Sequence, residues 1–274
     1  MYDPKTKKYP YPEDTAGHYI KIRKDDGTVF DRNYRYVDDS ALMNFRQGLI
    51  RAVIAVIVFP VLRIRTGLRV HGREVLKKHK EEIAGGVISC SNHIHFWDYL
   101  AVMRALFPRK TNVIVWDKNV RGENGPLIRL VGGIPVPEKD AHATAQMMRQ
   151  VGELLSDGWL HVYCEGSMWE FYQPIRPFKT GAAYMAVKYD KPIVPLAFSY
   201  REPGFIRKKI FRQTALLDLS IGEPLYKDPS LRKDAQISDL TVRCHRAVCS
   251  LAGIDPDKNI YPPLYNDSKR VDYY

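Results

Sequence analysis

A histidine and a carboxylate with a spacing suited to proton transfer stand at the end of an apolar run. His93 and Asp98 follow the apolar segment 87–90 and lie five residues apart. A neutral imidazole can accept the proton of a hydroxyl, and a carboxylate fixes its tautomer and stabilises the imidazolium. A turn leading into a helix from Trp97 would place Asp98 beside the second ring nitrogen. The pattern indicates an enzyme, although a surface histidine and a helix-capping aspartate can share this spacing.

A second polar loop follows another apolar run in the same manner. Glu165, Gly166 and Ser167 come directly after the segment 160–164. Because ligands of α/β folds bind where the carboxyl ends of parallel strands meet, we expect this loop to face His93.

The segments that must position these loops alternate between strands and helices. Apolar strands that alternate with helices are typical of a mainly parallel sheet with helices on both faces, so the predicted fold class is α/β. The predicted strands are 87–89, 113–116, 159–163, 193–198 and 216–221, and the predicted helices are 97–107, 141–155, 181–189 and 237–251.

An apolar segment before this alternation predicts an N-terminal helix that contacts a membrane. Asp39 or Ser40 can cap a helix from Ala41, and Pro60 would kink or end it. The apolar core 52–62 is shorter than the roughly 20 residues that a spanning helix needs. A helix lying in the membrane interface fits the arginines that follow, and an ordinary core helix is the alternative. These arginines are Arg63, Arg65 and Arg69.

The chain is expected to contain four regions and to stay in the cytosolic compartment. No secretory signal is visible, because residues 1–17 are polar. The alternation around Asp26-Gly27 predicts a hairpin at residues 18–31. The regions are an N-terminal extension with this hairpin (1–38), the interfacial helix region (39–70), a catalytic domain (71–254) and a C-terminal tail (255–274).

The composition favours a domain with a sizeable core and an anionic partner. The chain has 274 residues, of which 45% are hydrophobic. Its net charge of +11 favours a lipid surface, a nucleic acid or an acidic carrier. No nucleic-acid-binding motif is recognisable, so nucleic acid is not an expected partner. The four cysteines include no CxxC pair, and buried thiols are expected.

His95 raises the alternative of a metal-dependent hydrolase built on this loop. The order of residues differs from the ligand run of binuclear metallohydrolases, in which the aspartate follows the second histidine after one residue. Further ligands are scarce, because His142, His161 and Cys164 lie in segments predicted as helix or strand. We therefore predict no metal site.

Four blocks of the chain resemble motifs of the glycerolipid acyltransferase family, in the family's order and spacing. Residues 92–98 (NHIHFWD) resemble its NHxxxxD motif, and residues 163–167 (YCEGS) resemble its FPEGT block. Residues 178–182 (FKTGA) resemble its FKxGA stretch, and residues 193–196 (IVPL) resemble its final apolar strand. The chain is thus similar to lysophosphatidic-acid acyltransferases over roughly residues 85–200.

The resemblance implies a reaction and roles for these residues. His93 would draw the proton from an acceptor hydroxyl as it attacks an acyl thioester, and Asp98 would hold His93 in the productive tautomer. Glu165, Gly166 and Ser167 would line the acceptor pocket. No cofactor is implied beyond the acyl-CoA or acyl carrier protein that supplies the acyl group.

Two departures from the family pattern concern the phosphate of the acceptor. Met168 stands where the family has an arginine after its FPEGT block, and Glu138 stands where an arginine is usual in the preceding block. Neither side chain can form a bidentate pair with a phosphate. Lys118, Arg121, Arg176 and Lys179 are the cations that could substitute from nearby loops.

We therefore predict an O-acyltransferase of phospholipid biosynthesis that moves a fatty acyl group from acyl-CoA or acyl carrier protein to a lysolipid hydroxyl. It would lie at the cytoplasmic face of an anionic membrane, as a peripheral or monotopic protein. An acceptor without a phosphate monoester, or a glycolipid, is the alternative that Met168 and Glu138 favour. A non-catalytic basic protein, for which His93 would be dispensable, is a further alternative.

Overall fold

The structure is a computed structural model that describes residues 25–138 and 140–259, together with seven of the first 24 residues: Tyr2, Pro4, Tyr11, Pro12, Asp14, Gly17 and His18. Residues 19–24 of the predicted hairpin lie outside the described residues, and residues 25–30 form no strand. The C-terminal tail is described as far as Asn259 and begins with a short 3-10 turn, Pro256–Lys258.

The described residues form one sheet of seven strands. The strands are β1 (Arg69–His71), β2 (Val87–Ser91), β3 (Thr111–Trp116), β4 (Gly133–Val136), β5 (Trp159–Tyr163), β6 (Ile193–Arg201) and β7 (Leu216–Ile221). Their order across the sheet is β1-β7-β6-β2-β5-β3-β4, and β6 and β7 are the one antiparallel pair among them. The predicted fold class, α/β with a mainly parallel sheet, is confirmed.

Helices cover both faces of this sheet. They are α1 (Ala41–Val53), α2 (Phe59–Thr66), α3 (Arg73–Lys78), α4 (Asp98–Leu106), α5 (Asp117–Arg121), α6 (Gly125–Leu130), α7 (Ala141–Leu154), α8 (Gly181–Tyr189), α9 (Phe205–Lys209) and α10 (Lys233–Leu251). Side chains of a strand alternate between faces. In β6, Ile193 and Ala197 accordingly pack with residues of α7, α8 and α10, whereas Val194 and Leu196 pack with residues of α2 and α4.

The elements that the sequence did not reveal are the short ones. β1 and β4 are the two edge strands, with three and four residues. The helices α3, α5, α6 and α9 have five or six residues each. Segments of this length do not complete enough periods to show an apolar pattern.

The apolar N-terminal segment forms one continuous helix, Ala41–Thr66. Ser40 caps it, since its Oγ accepts the N–H of Met43 at 3.3 Å. Pro60 does not end the helix, because a π-helical turn, Ile54–Val58, precedes it and accommodates a residue without an N–H. The prediction that the segment is too short to span is therefore wrong: these 26 residues are long and apolar enough to cross a membrane by length and composition alone.

This helix lies with one face on the domain and the other face exposed. Phe59 and Leu62 are buried in the cluster that contains α4. The guanidinium of Arg51 donates to the carbonyl of Thr111 at 2.6 Å, which fastens the middle of the helix to the start of β3. We call its exposed side the apolar helix face; it comprises Leu42, Phe45, Leu49, Val53, Val56, Ile57, Val61 and Ile64.

Candidate active site

Two polar loops leave neighbouring parallel strands and lie side by side. The first loop (residues 92–97) follows β2, and the second loop (residues 164–180) follows β5. Ser91 pairs with Tyr163 at the ends of these strands. The N–H of Cys164 donates to the carbonyl of Ser91 at 3.1 Å, and the N–H of Trp169 donates to the carbonyl of His93 at 3.0 Å. Both loops therefore stand at the carboxyl edge of the sheet, where α/β folds bind ligands.

His93 and Asp98 form a hydrogen-bonded pair. Nδ1 of His93 lies 2.9 Å from Oδ2 of Asp98, the first residue of α4. The same oxygen accepts the backbone N–H groups of Ile94 at 2.8 Å and of His95 at 3.0 Å. Because this oxygen acts as an acceptor, we assign the imidazole proton to Nδ1. Nε2 then carries the lone pair that can accept a proton.

Burial keeps the imidazole neutral. The side chain of Asp98 is fully buried, whereas that of His93 retains 22% exposure. Loss of solvation, with a smaller contribution from the charge of Arg176, lowers the pKa of His93 to about 3, although the charge of Glu165 acts in the opposite direction. Burial raises the pKa of Asp98 to about 7, against the effect of its backbone hydrogen bonds. The ring is therefore a proton acceptor at neutral pH.

Side chains of β2 and β5 fix the plane of the His93 ring. The ring of Tyr163 stacks on it with 3.8 Å between centroids and an angle of 13°. His161 meets Tyr163 edge-on at 4.5 Å. The two ring nitrogens of His161 bond to the hydroxyls of Ser89 at 3.0 Å and Ser91 at 3.2 Å. Burial lowers the pKa of His161 to about 3, so it serves this layer as a neutral ring.

Asn92 ties the first loop to β6. Its Oδ1 accepts the N–H of Phe198 at 2.8 Å, and its Nδ2 donates to the carbonyl of Phe198 at 3.0 Å. The side chain is fully buried and bonded at both ends. It therefore fixes the backbone between the end of β2 and His93.

Glu165, Ser167 and Arg176 form a buried network. Glu165 accepts the backbone N–H groups of His93 at 2.9 Å and Arg176 at 2.7 Å, and pairs with the Arg176 guanidinium at 2.9 Å. That guanidinium also donates to Oγ of Ser167 at 2.7 Å and lies 4.3 Å from the centre of the Trp169 ring. The three residues are at most 2% exposed.

This burial concerns three residues that the sequence predicts to contact the acceptor. The Arg176 guanidinium bonds to the side chains of Glu165 and Ser167 inside the protein, and contact of these residues with an acceptor stays a prediction. A buried charge must be paired to be tolerated, and Arg176 is paired within the protein. The network joins the two loops, because Glu165 accepts the backbone N–H of His93.

Gly166 and Lys179 remain at the rim of the second loop. Gly166 has a φ of +81°, which favours glycine. A Cβ at this position would lie 2.8 Å from Nζ of Lys179, so the lysine side chain runs directly over the glycine. The N–H of Lys179 donates to the carbonyl of Cys164 at 2.8 Å. Lys179 therefore places an exposed cation beside the network.

Trp116, at the end of β3, carries a further group of polar side chains. The ring of His18 stacks on it at 3.9 Å, and Nζ of Lys118 lies 5.0 Å from its centroid. Its indole N–H donates to Glu138 at 3.2 Å. Burial, followed by the charge of Lys179, lowers the pKa of His18 to about 4. The charges of Lys118 and Lys179 thus both act on His18, so the two lysines lie on the same side of the site.

Residues near the N-terminus pack on the second loop. Tyr11 stacks on Trp169 at 4.9 Å, and the indole N–H of Trp169 donates to the carbonyl of Gly17 at 2.9 Å. These contacts fix His18 beside Trp116. The sequence did not reveal the contact between His18 and Trp116, because ring stacking between segments so far apart in the chain leaves no periodic pattern.

His95 belongs to the turn of the first loop. Its Nδ1 accepts the N–H of Trp97 at 3.0 Å. Within the described parts of the chain, no group of three or more histidine, cysteine, aspartate or glutamate side chains is arranged to hold a metal ion. The metal-dependent hydrolase therefore has no ligand set in these parts. The four cysteines are buried and free.

The fold and the paired loops define an α/β domain with a hydrogen-bonded histidine–aspartate pair at the carboxyl edge of its sheet. A family model described as Acyltransferase matches residues 67–199. The chain is 28% identical over 178 residues to human 1-acyl-sn-glycerol-3-phosphate acyltransferase beta. The aligned region covers 64% of this chain and 63% of the human protein. Both matches support the resemblance of this chain to the glycerolipid acyltransferase family.

The chain spans less than two thirds of the length of this curated relative. Among solved structures, it is similar to the crystal structure of the 1-acyl-sn-glycerophosphate (LPA) acyltransferase, PlsC, from Thermotoga maritima. The TM-score is 0.43 and the identity 17%, over 77% of this chain and 96% of that chain.

Proposed function

We propose that this protein is an O-acyltransferase that moves a fatty acyl group from acyl-CoA or acyl carrier protein to the hydroxyl of a lysolipid. A lysophosphatidic acid is the first candidate acceptor. The observation that carries the proposal is the His93–Asp98 pair, which presents a neutral imidazole at the junction of the two loops. The name of the human relative supports the choice of acceptor.

The geometry supports a direct transfer with His93 as the general base. Nε2 accepts the hydroxyl proton as the acceptor oxygen bonds to the thioester carbonyl carbon. The tetrahedral intermediate expels the thiolate, which takes this proton from the imidazolium and leaves as the thiol. Asp98 stabilises the imidazolium through its bond to Nδ1. These steps need no acyl-enzyme and no cofactor besides the acyl donor.

Lys118 and Lys179 are the proposed ligands of an acceptor phosphate. Both are exposed at the carboxyl edge of the sheet, and the charges of both act on His18. Two lysines can bind a phosphate as point charges, without the bidentate geometry of arginine. They would take the place of the arginines that Met168 and Glu138 replace.

Glu138 favours a second candidate acceptor. Its carboxylate is exposed and bonded to the indole of Trp116, on whose ring Lys118 also lies. A carboxylate at this place repels a phosphate dianion and attracts a cationic headgroup. A lysophospholipid with a larger, amine-bearing headgroup is therefore the alternative, and a glycolipid is a further one.

Membrane attachment is part of the proposal. The apolar helix face would lie in the interface of an anionic membrane, on its cytoplasmic side, so that the lipid acceptor does not leave the bilayer fully. The fastening of Arg51 to β3 supports a helix that lies along the domain as a monotopic element.

The test is product analysis by lipid mass spectrometry. The purified chain is incubated with labelled acyl-CoA or acyl carrier protein and with lysolipids that have, or lack, a phosphate monoester. We expect His93→Ala and Asp98→Asn each to lower kcat by roughly 100-fold or more, because a general base contributes this much. Lys179→Met is expected to raise KM mainly for phosphate monoester acceptors.

His142→Ala is the matched control, since His142 is an exposed histidine on α7 and its variant should keep full activity. A folded His93→Ala variant with full activity would contradict the mechanism. Absence of any His93-dependent product would contradict the acyltransferase itself. An equal effect of Lys179→Met on all acceptors would contradict Lys179 as a ligand of the phosphate monoester.

A further inference from the structure

A short segment after β6 exposes four large apolar side chains. Phe205, Ile206, Ile210 and Phe211 are 75%, 62%, 71% and 53% exposed. They belong to α9 and to the turn that follows it. Water around such a cluster is unfavourable, and exposed apolar clusters therefore mark interaction surfaces.

This segment is fastened to the C-terminal end of the helix Ala41–Thr66. The guanidinium of Arg207 donates to the carbonyl of Ile64 at 3.1 Å. The side-chain amide of Gln213 donates to the carbonyls of Ile64 at 2.8 Å and Arg65 at 2.5 Å. Because Ile64 is part of the apolar helix face, the two exposed apolar surfaces adjoin each other.

The charge of the segment identifies its partner. Residues 204–213 contain four cations and no acidic residue. An apolar cluster with basic neighbours fits an anionic bilayer, because the apolar groups enter the acyl region while the cations meet the lipid phosphates. A second copy of the chain fits less well, since a two-fold contact would set the same cations against each other. The cations are Arg207, Lys208, Lys209 and Arg212.

We propose that residues 205–211 are a second membrane-inserting element, which acts with the apolar helix face to hold the protein on an anionic bilayer. The segment ends beside a cavity of about 170 Å³ whose lining includes Arg212, Arg65, Phe171 and His95. His95 belongs to the first loop, so the inserted surface lies next to the active site. The inference rests on the proposed function for its lipid substrate, whereas insertion can be measured without activity.

The test places an environment-sensitive fluorophore on the segment. All four native cysteines are buried, so an Ile210→Cys variant of the full chain can be labelled selectively at residue 210. We expect a blue shift and at least about twofold higher emission with vesicles of phosphatidylcholine and phosphatidylglycerol, because the dye leaves water on insertion. The matched control is Val242→Cys on α10, where the native side chain is 57% exposed and the dye should stay in water.

A double variant, Phe205→Ser with Phe211→Ser, tests the contribution of the segment to binding. Removing two aromatic groups from the acyl region should lower vesicle partitioning roughly tenfold. His93-dependent transfer to a lysolipid in detergent micelles should stay within about twofold, because neither residue lies in the active site.

The outcomes separate this inference from the proposed function. A dye at residue 210 that stays in water while the protein binds vesicles overturns the inference. A blue shift that depends on protein concentration without vesicles also overturns it, since a second copy would then cover the segment. Insertion without transfer to any lysolipid would leave the inference standing and contradict the proposed function.

Discussion

Among single residues, Glu165 connects most of the active site. Its two carboxylate oxygens bind the backbone of His93, the backbone of Arg176 and the Arg176 guanidinium. The residue at the position that resembles the family's acidic motif therefore holds His93 through its backbone N–H. Its contact with the acceptor, which the sequence suggested, stays a prediction.

Glu165→Gln should destabilise the protein by about 3–5 kcal/mol, because it leaves the buried Arg176 charge without its partner. Chemical denaturation measures this free energy of unfolding. The matched control is Glu153→Gln, which breaks an exposed pair with Arg149 on α7. Exposed pairs contribute about 0–1 kcal/mol, so the control should change little. Equal effects of the two substitutions would refute the buried network.

Among the elements, the second loop depends on one left-handed residue. Gly166 turns the chain at a φ of +81° and leaves room for Lys179 to cross it. The turn therefore sets the place of the proposed phosphate ligand as well as the course of the backbone.

Gly166→Ala should raise the KM for a phosphate-bearing acceptor several-fold, because the new Cβ displaces the Lys179 ammonium. It should also add backbone strain of roughly 1–2 kcal/mol. Gly253→Ala is the control, since Gly253 has a φ of +75° and a Cβ added there would meet nothing within 4 Å. The two variants should lose similar stability, and only Gly166→Ala should change KM. An unchanged KM for Gly166→Ala would argue against Lys179 as a phosphate ligand.

At the scale of the whole molecule, buried histidines make the folded state sensitive to acid. Burial holds the pKa of His161 at about 3, whereas an unfolded histidine titrates near 6.5. Between these pH values His161 binds a proton in the unfolded chain but not in the folded chain, so the free energy of unfolding falls as the pH decreases. Burial of Asp98, with its pKa raised to about 7, acts with the opposite sign.

His161→Gln should remove the first effect, because glutamine can bond to Ser89 and Ser91 without titrating. We expect the loss of stability between pH 7 and pH 5 to be smaller by about 2 kcal/mol in this variant than in the parent protein. Urea denaturation at the two pH values measures the difference, and His142→Gln serves as the exposed control. Parallel losses in the parent and His161→Gln would show that His161 is not a buried neutral ring.

The sequence by itself determined the features that repeat at short range. Strand and helix periods gave the α/β class, Ser40 marked the helix start, and the residues 92–98 indicated the His93–Asp98 pair. Each of these depends on neighbours within a few residues, so a local pattern is sufficient to predict it.

Only the tertiary structure decided which of these residues are buried and which distant segments meet. In the folded protein, Arg176 is paired with Glu165 in the interior, and His18 stacks on Trp116. The helix Ala41–Thr66 continues past Pro60, and residues 204–213 are hydrogen-bonded to its C-terminal end. The physical reason is that desolvation and long-range contacts depend on the packing of the whole chain. The type and spacing of nearby residues do not encode them.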